Sequence, residues 1–113
     1  MKASYAVVWQ EAPEQGPVYA GKLELDEGAV HLEGISRDGS ACRRALGYEE
    51  LGALRMASSG ERILGRPTLV VERADAEPLR VGSIDGRGLL AELADQLGLR
   101  VLELMRRQRQ AVA

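Results

Sequence analysis

The sequence predicts a mainly β domain, a seven-stranded antiparallel sandwich or barrel capped by a C-terminal amphipathic α-helix. Two observations carry this. From Ser4 to Ile84, short runs that favour β-branched and apolar residues, several of them alternating with polar ones, recur between clusters of turn residues, which is the pattern of half-buried strands. After Asp85 the apolar spacing changes to that of a helix, with Leu90, Leu93, Ala94 and Leu97 on one stripe.

Ser4–Gln10 (SYAVVWQ) opens the series with β-branched and aromatic residues. Two prolines and a glycine in Glu11–Pro17 then break the pattern into a loop. In Val18–Leu25, Tyr19, Gly21, Leu23 and Leu25 point one way and Val18, Lys22 and Glu24 the other. After the turn Asp26-Glu27-Gly28, Ala29–Glu33 places Val30 and Leu32 inward and His31 and Glu33 outward, so the pair reads as a hairpin. A polar turn at Gly34–Ser40 leads to a fourth strand, Ala41–Tyr48. Leu51–Ala57 follows with Leu54 and Met56 inward and Arg55 outward. Loops at Ser58–Gly60 and Gly65–Pro67 bracket Ile63-Leu64, and Thr68–Arg73 and Leu79–Ile84 complete the set around a turn at Ala74–Pro78. Asp85 is placed to cap the helix, its carboxylate accepting from an unpaired first-turn N–H.

A chain of 113 residues has room for one core. That core is aliphatic, because Phe is absent and the aromatics are only Tyr5, Trp9, Tyr19 and Tyr48. The formal net charge of −2, with basic and acidic residues interspersed, lacks the basic surplus of a nucleic-acid binder. No apolar run approaches the roughly 20 residues needed to cross a bilayer, and the N-terminus lacks the long apolar segment of a signal peptide. Cys42 is the single cysteine, which forbids an intramolecular disulfide and suits a cytoplasmic location. Rich Ala, Gly, Leu and Arg usage with little Lys fits a bacterial source.

The stretches Gly21–Gly34 (GKLELDEGAVHLEG), Tyr48–Met56 (YEELGALRM) and Pro67–Ser83 leading into GLLAELADQL resemble short bacterial pleckstrin-homology-like (PH-like) and GRAM-like domains. The resemblance spans about Tyr5 to Leu97. It implies two nearly orthogonal sheets plugged at one end by the helix, and a non-enzymatic binding or scaffolding role. Lipid-binding members carry a basic cluster across the first two strands and their loop. Here Glu11–Pro17 holds no basic residue and Lys22 is the sole cation of the second strand. Arg37, Arg43 and Arg44 remain as candidate anion-binding residues, and a peripheral adaptor for anionic lipid headgroups is the alternative function, with membrane contact disfavoured.

No enzymatic constellation is expected. One cysteine and one histidine, Cys42 and His31, permit a dyad in principle. But Cys42 sits in a strand pattern as a packing residue and His31 faces outward. A zinc site needs several such ligands at short spacing, so neither metal nor cofactor is expected. Asp26-Glu27 and Glu49-Glu50 are adjacent carboxylates in turns. SSGERILGR and IDGRG match no phosphate-loop pattern.

The C-terminal segment holds the main functional expectation. Residues 1–98 read as the domain with its capping helix and 99–113 as a helical extension. If the helix continues through Gly98 to about Gln110 it is roughly 36 Å long, more than one open end of so small a domain covers. Val101, Leu104 and Met105 then continue the stripe, with Leu99 and Leu102 towards the back. These five are the candidate partner-binding residues, for a protein partner or a second copy of the chain. If instead Gly98 ends the helix, the tail folds back onto the domain.

Overall fold

The computed structural model describes residues 3–11, 16–84 and 87–112, apart from the side chains of 87, 111 and 112. Seven strands, β1 (Ala3–Gln10), β2 (Tyr19–Leu25), β3 (Ala29–Ser36), β4 (Ala41–Gly47), β5 (Leu51–Met56), β6 (Thr68–Arg73) and β7 (Leu79–Ser83), precede one helix, α1 (Arg87–Val112). All neighbours pair antiparallel, in the order β4-β3-β2-β1-β7-β6-β5. The fold is mainly β, as the alternation predicts, but the strands form one sheet that is not closed into a barrel. Two meanders, β1–β4 and β5–β7, join where β1 pairs with β7 from Val7↔Ser83 to Gln10↔Arg80. Strands β4 and β5 are the two edges. Between them the chain does not extend β4 to Tyr48; Tyr48–Glu50 is a 3-10 turn. It drops Tyr48 into the core, where its hydroxyl donates to the Asp26 carbonyl at 2.6 Å.

The inward rows are those the alternation marks. Val7 and Trp9 of β1, Leu23 and Leu25 of β2, Val30 and Leu32 of β3, and Val81 of β7 are almost wholly buried. Leu90, Leu93 and Leu97 of α1 close over them in the same cluster. Burying a side chain of this size contributes about 1.5–3 kcal/mol, so these rows and the helix stripe fix each other.

Trp9 dictates its own surroundings. Its indole N–H donates to the Glu33 carbonyl at 3.1 Å, and its ring lies 4.7 Å from that of Tyr19. The opposed pair Gly21↔Gly34 makes this approach possible. A Cβ on Gly34 would stand 3.0 Å from the indole nitrogen, and one on Gly21 would collide with the Glu33 carbonyl.

A smaller layer covers the other face. The 3-10 turns Ser59–Glu61 and Ile63–Gly65 lay Ile63 on that side of the sheet, where it is buried with Val8, Thr68 and Val70 outside the main core cluster. The Ile63 N–H donates to the Thr68 hydroxyl at 3.0 Å. Holding this turn puts Leu64 in the left-handed region at φ 52°, sparsely populated for a branched side chain.

The fifth strand departs from its sequence pattern. Register shifts between Leu51 and Leu54, and an irregularity of this kind resets which side chains face the core. The shift lets both Leu51 and Leu54 face inward, and Met56, opposite Leu69, keeps the expected inward face but at the sheet edge is 55% exposed. Glu11, just beyond β1, ties the two meanders together. It meets Arg44 of β4 at 2.7 Å and the nearly buried Arg73 of β6 at 3.3 Å.

The helix does not break at Gly98. It runs 26 residues, about 39 Å, longer than either short dimension of the molecule, 28 and 26 Å. Its proposed cap, Asp85, lies outside the described residues. A Cβ on Gly98 would meet nothing within 4 Å beyond the helix itself. Gly98→Ala is therefore expected to raise unfolding stability by about 1 kcal/mol, read from the chemical-denaturation midpoint.

Candidate functional site

The helix sorts the five tail candidates into two groups. Val101 and Leu104 pack against the core cluster, in phase with Leu90, Leu93 and Leu97; they are structural residues rather than a free contact surface. Leu99, Leu102 and Met105 are 62%, 63% and 47% exposed. At 100° per residue, Leu102 stands about 140° round the helix from the centre of the inward stripe. Met105, expected to prolong the inward stripe, lies to one side of it, while Leu99 and Leu102 take the outer side foreseen for them. Exposed apolar side chains arranged as one patch mark interaction surfaces more often than scattered ones do.

Charges are ordered along this outer stripe. Asp95 lies one turn before Leu99, and Arg106 and Arg109 follow Met105, all exposed. Glu103 is taken up by Arg106 at 3.1 Å and Arg107 at 3.5 Å. Among the described residues neither Asp95 nor Arg109 has an ion-pair or hydrogen-bond partner.

The three candidate anion-binding arginines do not converge. Arg43 and Arg44 are consecutive on β4 and so project to opposite faces of the sheet. Arg43 reaches Glu33 at 3.6 Å, which also meets Lys22 at 3.4 Å, giving an alternating-sign row across three strands. Arg44 is held by Glu11. Arg37 sits in the exposed β3–β4 turn beside Asp38. The Ser36 hydroxyl and the Ser40 N–H hold the Asp38 carboxyl at about 2, so it keeps its negative charge next to that arginine at any ordinary pH.

His31 and Cys42 are not brought together. His31 is on the exposed face of β3, its Nε2 2.5 Å from an Asp26 carboxylate oxygen. Cys42 is half-buried and packs against the core on the opposite face. Hydrogen bonds from the Gly28 and Ala29 N–H groups, with His31 beside them, keep Asp26 below the usual carboxylate range, as expected of a residue closing a turn. Among the described residues no group of three or more His, Cys, Asp or Glu is placed to hold a metal, and no helix is long and apolar enough to cross a membrane.

One surface escaped the sequence reading. Val8, Ala20 and Ile35 stand in register across β1, β2 and β3 on the face away from the helix. With Pro17, Val18 and Leu64 they line an open groove of about 600 Å³. Ile35 is 58% and Leu64 74% exposed. The signal was the outward phase of β3 carried past Glu33 to Ile35, hidden because Gly34 reads as the start of a turn.

No protein-family model and no curated protein matches the chain.

Proposed function

We propose that this chain is a PH-like, non-enzymatic interaction module whose contact surface is the outer stripe of its C-terminal helix. One observation carries the reading. The helix runs on unbroken past Gly98 and presents Leu99, Leu102 and Met105 to solvent while Val101 and Leu104 satisfy the fold. The family part of the proposal rests on the order of the elements, two meanders meeting at β1 and β7 with a helix across the core. The lipid-adaptor alternative is disfavoured, because Arg43 and Arg44 face apart and each has a carboxylate beside it.

If the stripe serves a partner and not the fold, it is dispensable to the monomer. At high dilution the triple variant Leu99→Gln/Leu102→Gln/Met105→Gln is expected to unfold within about 1 kcal/mol of the parent. The inward pair Val101→Ala/Leu104→Ala is expected to lose more than about 2 kcal/mol. Equal losses in the two variants would place the stripe in the fold and end this reading.

A further inference from the structure

We infer that the partner for this stripe is a second copy of the same chain, with the two helices packed antiparallel about a two-fold axis at Leu102. The inference rests on the stripe being a contact surface, and what it adds is the identity of the occupant and the register.

The argument is one of self-complementarity. In a two-fold interface every residue that meets another is met by it in return. An antiparallel pair centred on Leu102 brings together residues whose numbers sum to 204. Leu102 then meets Leu102 of the other copy, Leu99 meets Met105, and Asp95 meets Arg109. The exposed apolar residues fall at the centre, and Asp95 and Arg109, both without partners among the described residues, face each other at both ends. Gly98, with no Cβ and open space beside it, lies opposite Arg106 and gives its long side chain room to cross the neighbouring backbone.

A parallel pair fails the same test. It sets Asp95 against Asp95 and Arg109 against Arg109, so each end becomes a like-charge contact that opposes association. The outer groove offers no comparable pattern, because its apolar row is bordered by Arg43, Glu33 and Lys22, whose charges already pair among themselves. From Asp95 to Arg109 the stripe is about 21 Å long, and it points away from the sheet, so two helices can meet along it at a shallow crossing angle of about 20°.

The test is charge reversal read by sedimentation equilibrium on the full chain. Asp95→Arg alone turns two attractive pairs into two repulsive ones, as does Arg109→Asp alone. Each is expected to raise the dimer dissociation constant about tenfold, with unchanged thermal unfolding at high dilution. Mixing the two single variants restores both attractive pairs in a heterodimer and is expected to return association to within about threefold of the parent. A parent dimer indifferent to either reversal, or a mixture that recovers nothing, overturns the antiparallel register while self-association stands. A monomeric parent chain overturns the second copy as occupant. The broader reading of the stripe as a contact surface is decided separately, by the glutamine variant.

Discussion

Trp9→Ala is expected to remove about 3–5 kcal/mol of unfolding stability. For a domain of this size that is a large part of the total, which is commonly about 5–15 kcal/mol. The indole is fully buried, stacks on Tyr19 and donates to the Glu33 carbonyl, and the Gly21↔Gly34 floor beneath it has no side chain to collapse into the vacated space. The substitution therefore leaves a cavity, Tyr19 without its aromatic neighbour and a carbonyl without its donor. Urea unfolding followed by far-ultraviolet circular dichroism measures the loss, since the change removes the chain's one tryptophan and with it the fluorescence probe. Trp9→Phe, which keeps a ring but not the donor, is expected to fall between the two. A loss under about 1 kcal/mol for the alanine variant would mean that the packing around Trp9 does not hold β1 to β3.

The second large effect falls on association rather than folding. Leu102→Glu is expected to weaken the dimer about a hundredfold, because a residue at the two-fold axis meets its own copy. A single substitution there replaces an apolar contact by two carboxylates face to face. The monomer is expected to keep its stability, since Leu102 is exposed. Ala45→Glu, on the exposed face of edge strand β4, is the matching control and is expected to leave association unchanged. Analytical ultracentrifugation of the three chains over a concentration series distinguishes them.

How far the sequence discloses this molecule depends on how local each cause is. The β2–β3 hairpin is legible because alternation on both sides of Asp26-Glu27-Gly28 fixes faces and register together, and Leu25↔Val30 and Leu23↔Leu32 pair as that pattern requires. The change to helical spacing after Asp85 is local in the same way. What the strands do beyond their neighbours is not. Whether β4 meets β5 depends on the path through Tyr48–Glu50, and the anchoring of Tyr48 on Asp26, 22 residues away, has no signature in the run ACRRALGY. Met56 lies on the same face as Leu54, opposite the core residue Leu69, as alternation requires, but on the edge strand it stays 55% exposed; alternation gives the face of a side chain and not how far neighbours cover it.

The candidate site divides along the same line. The helical phase of Leu99 and Leu102 is visible in the sequence, but the fate of Gly98 is not. A helical glycine costs about 1 kcal/mol relative to alanine, and the packing of Leu97, Val101 and Leu104 on either side of it offsets that cost. That packing is tertiary, so the spacing alone leaves the break and the continuation open. The outward row of Val8, Ala20 and Ile35 is assembled from three strands and exists only once the register does.

The measurement that bears most directly on the account is the solution mass of the full chain, by light scattering across a concentration series. The self-complementary helix stripe predicts a mass that rises with concentration from 12.2 kDa towards twice that value and no further, because a two-fold contact closes on itself. A mass that stays at 12.2 kDa at the highest concentration, or one that climbs past the dimer without a plateau, would contradict it.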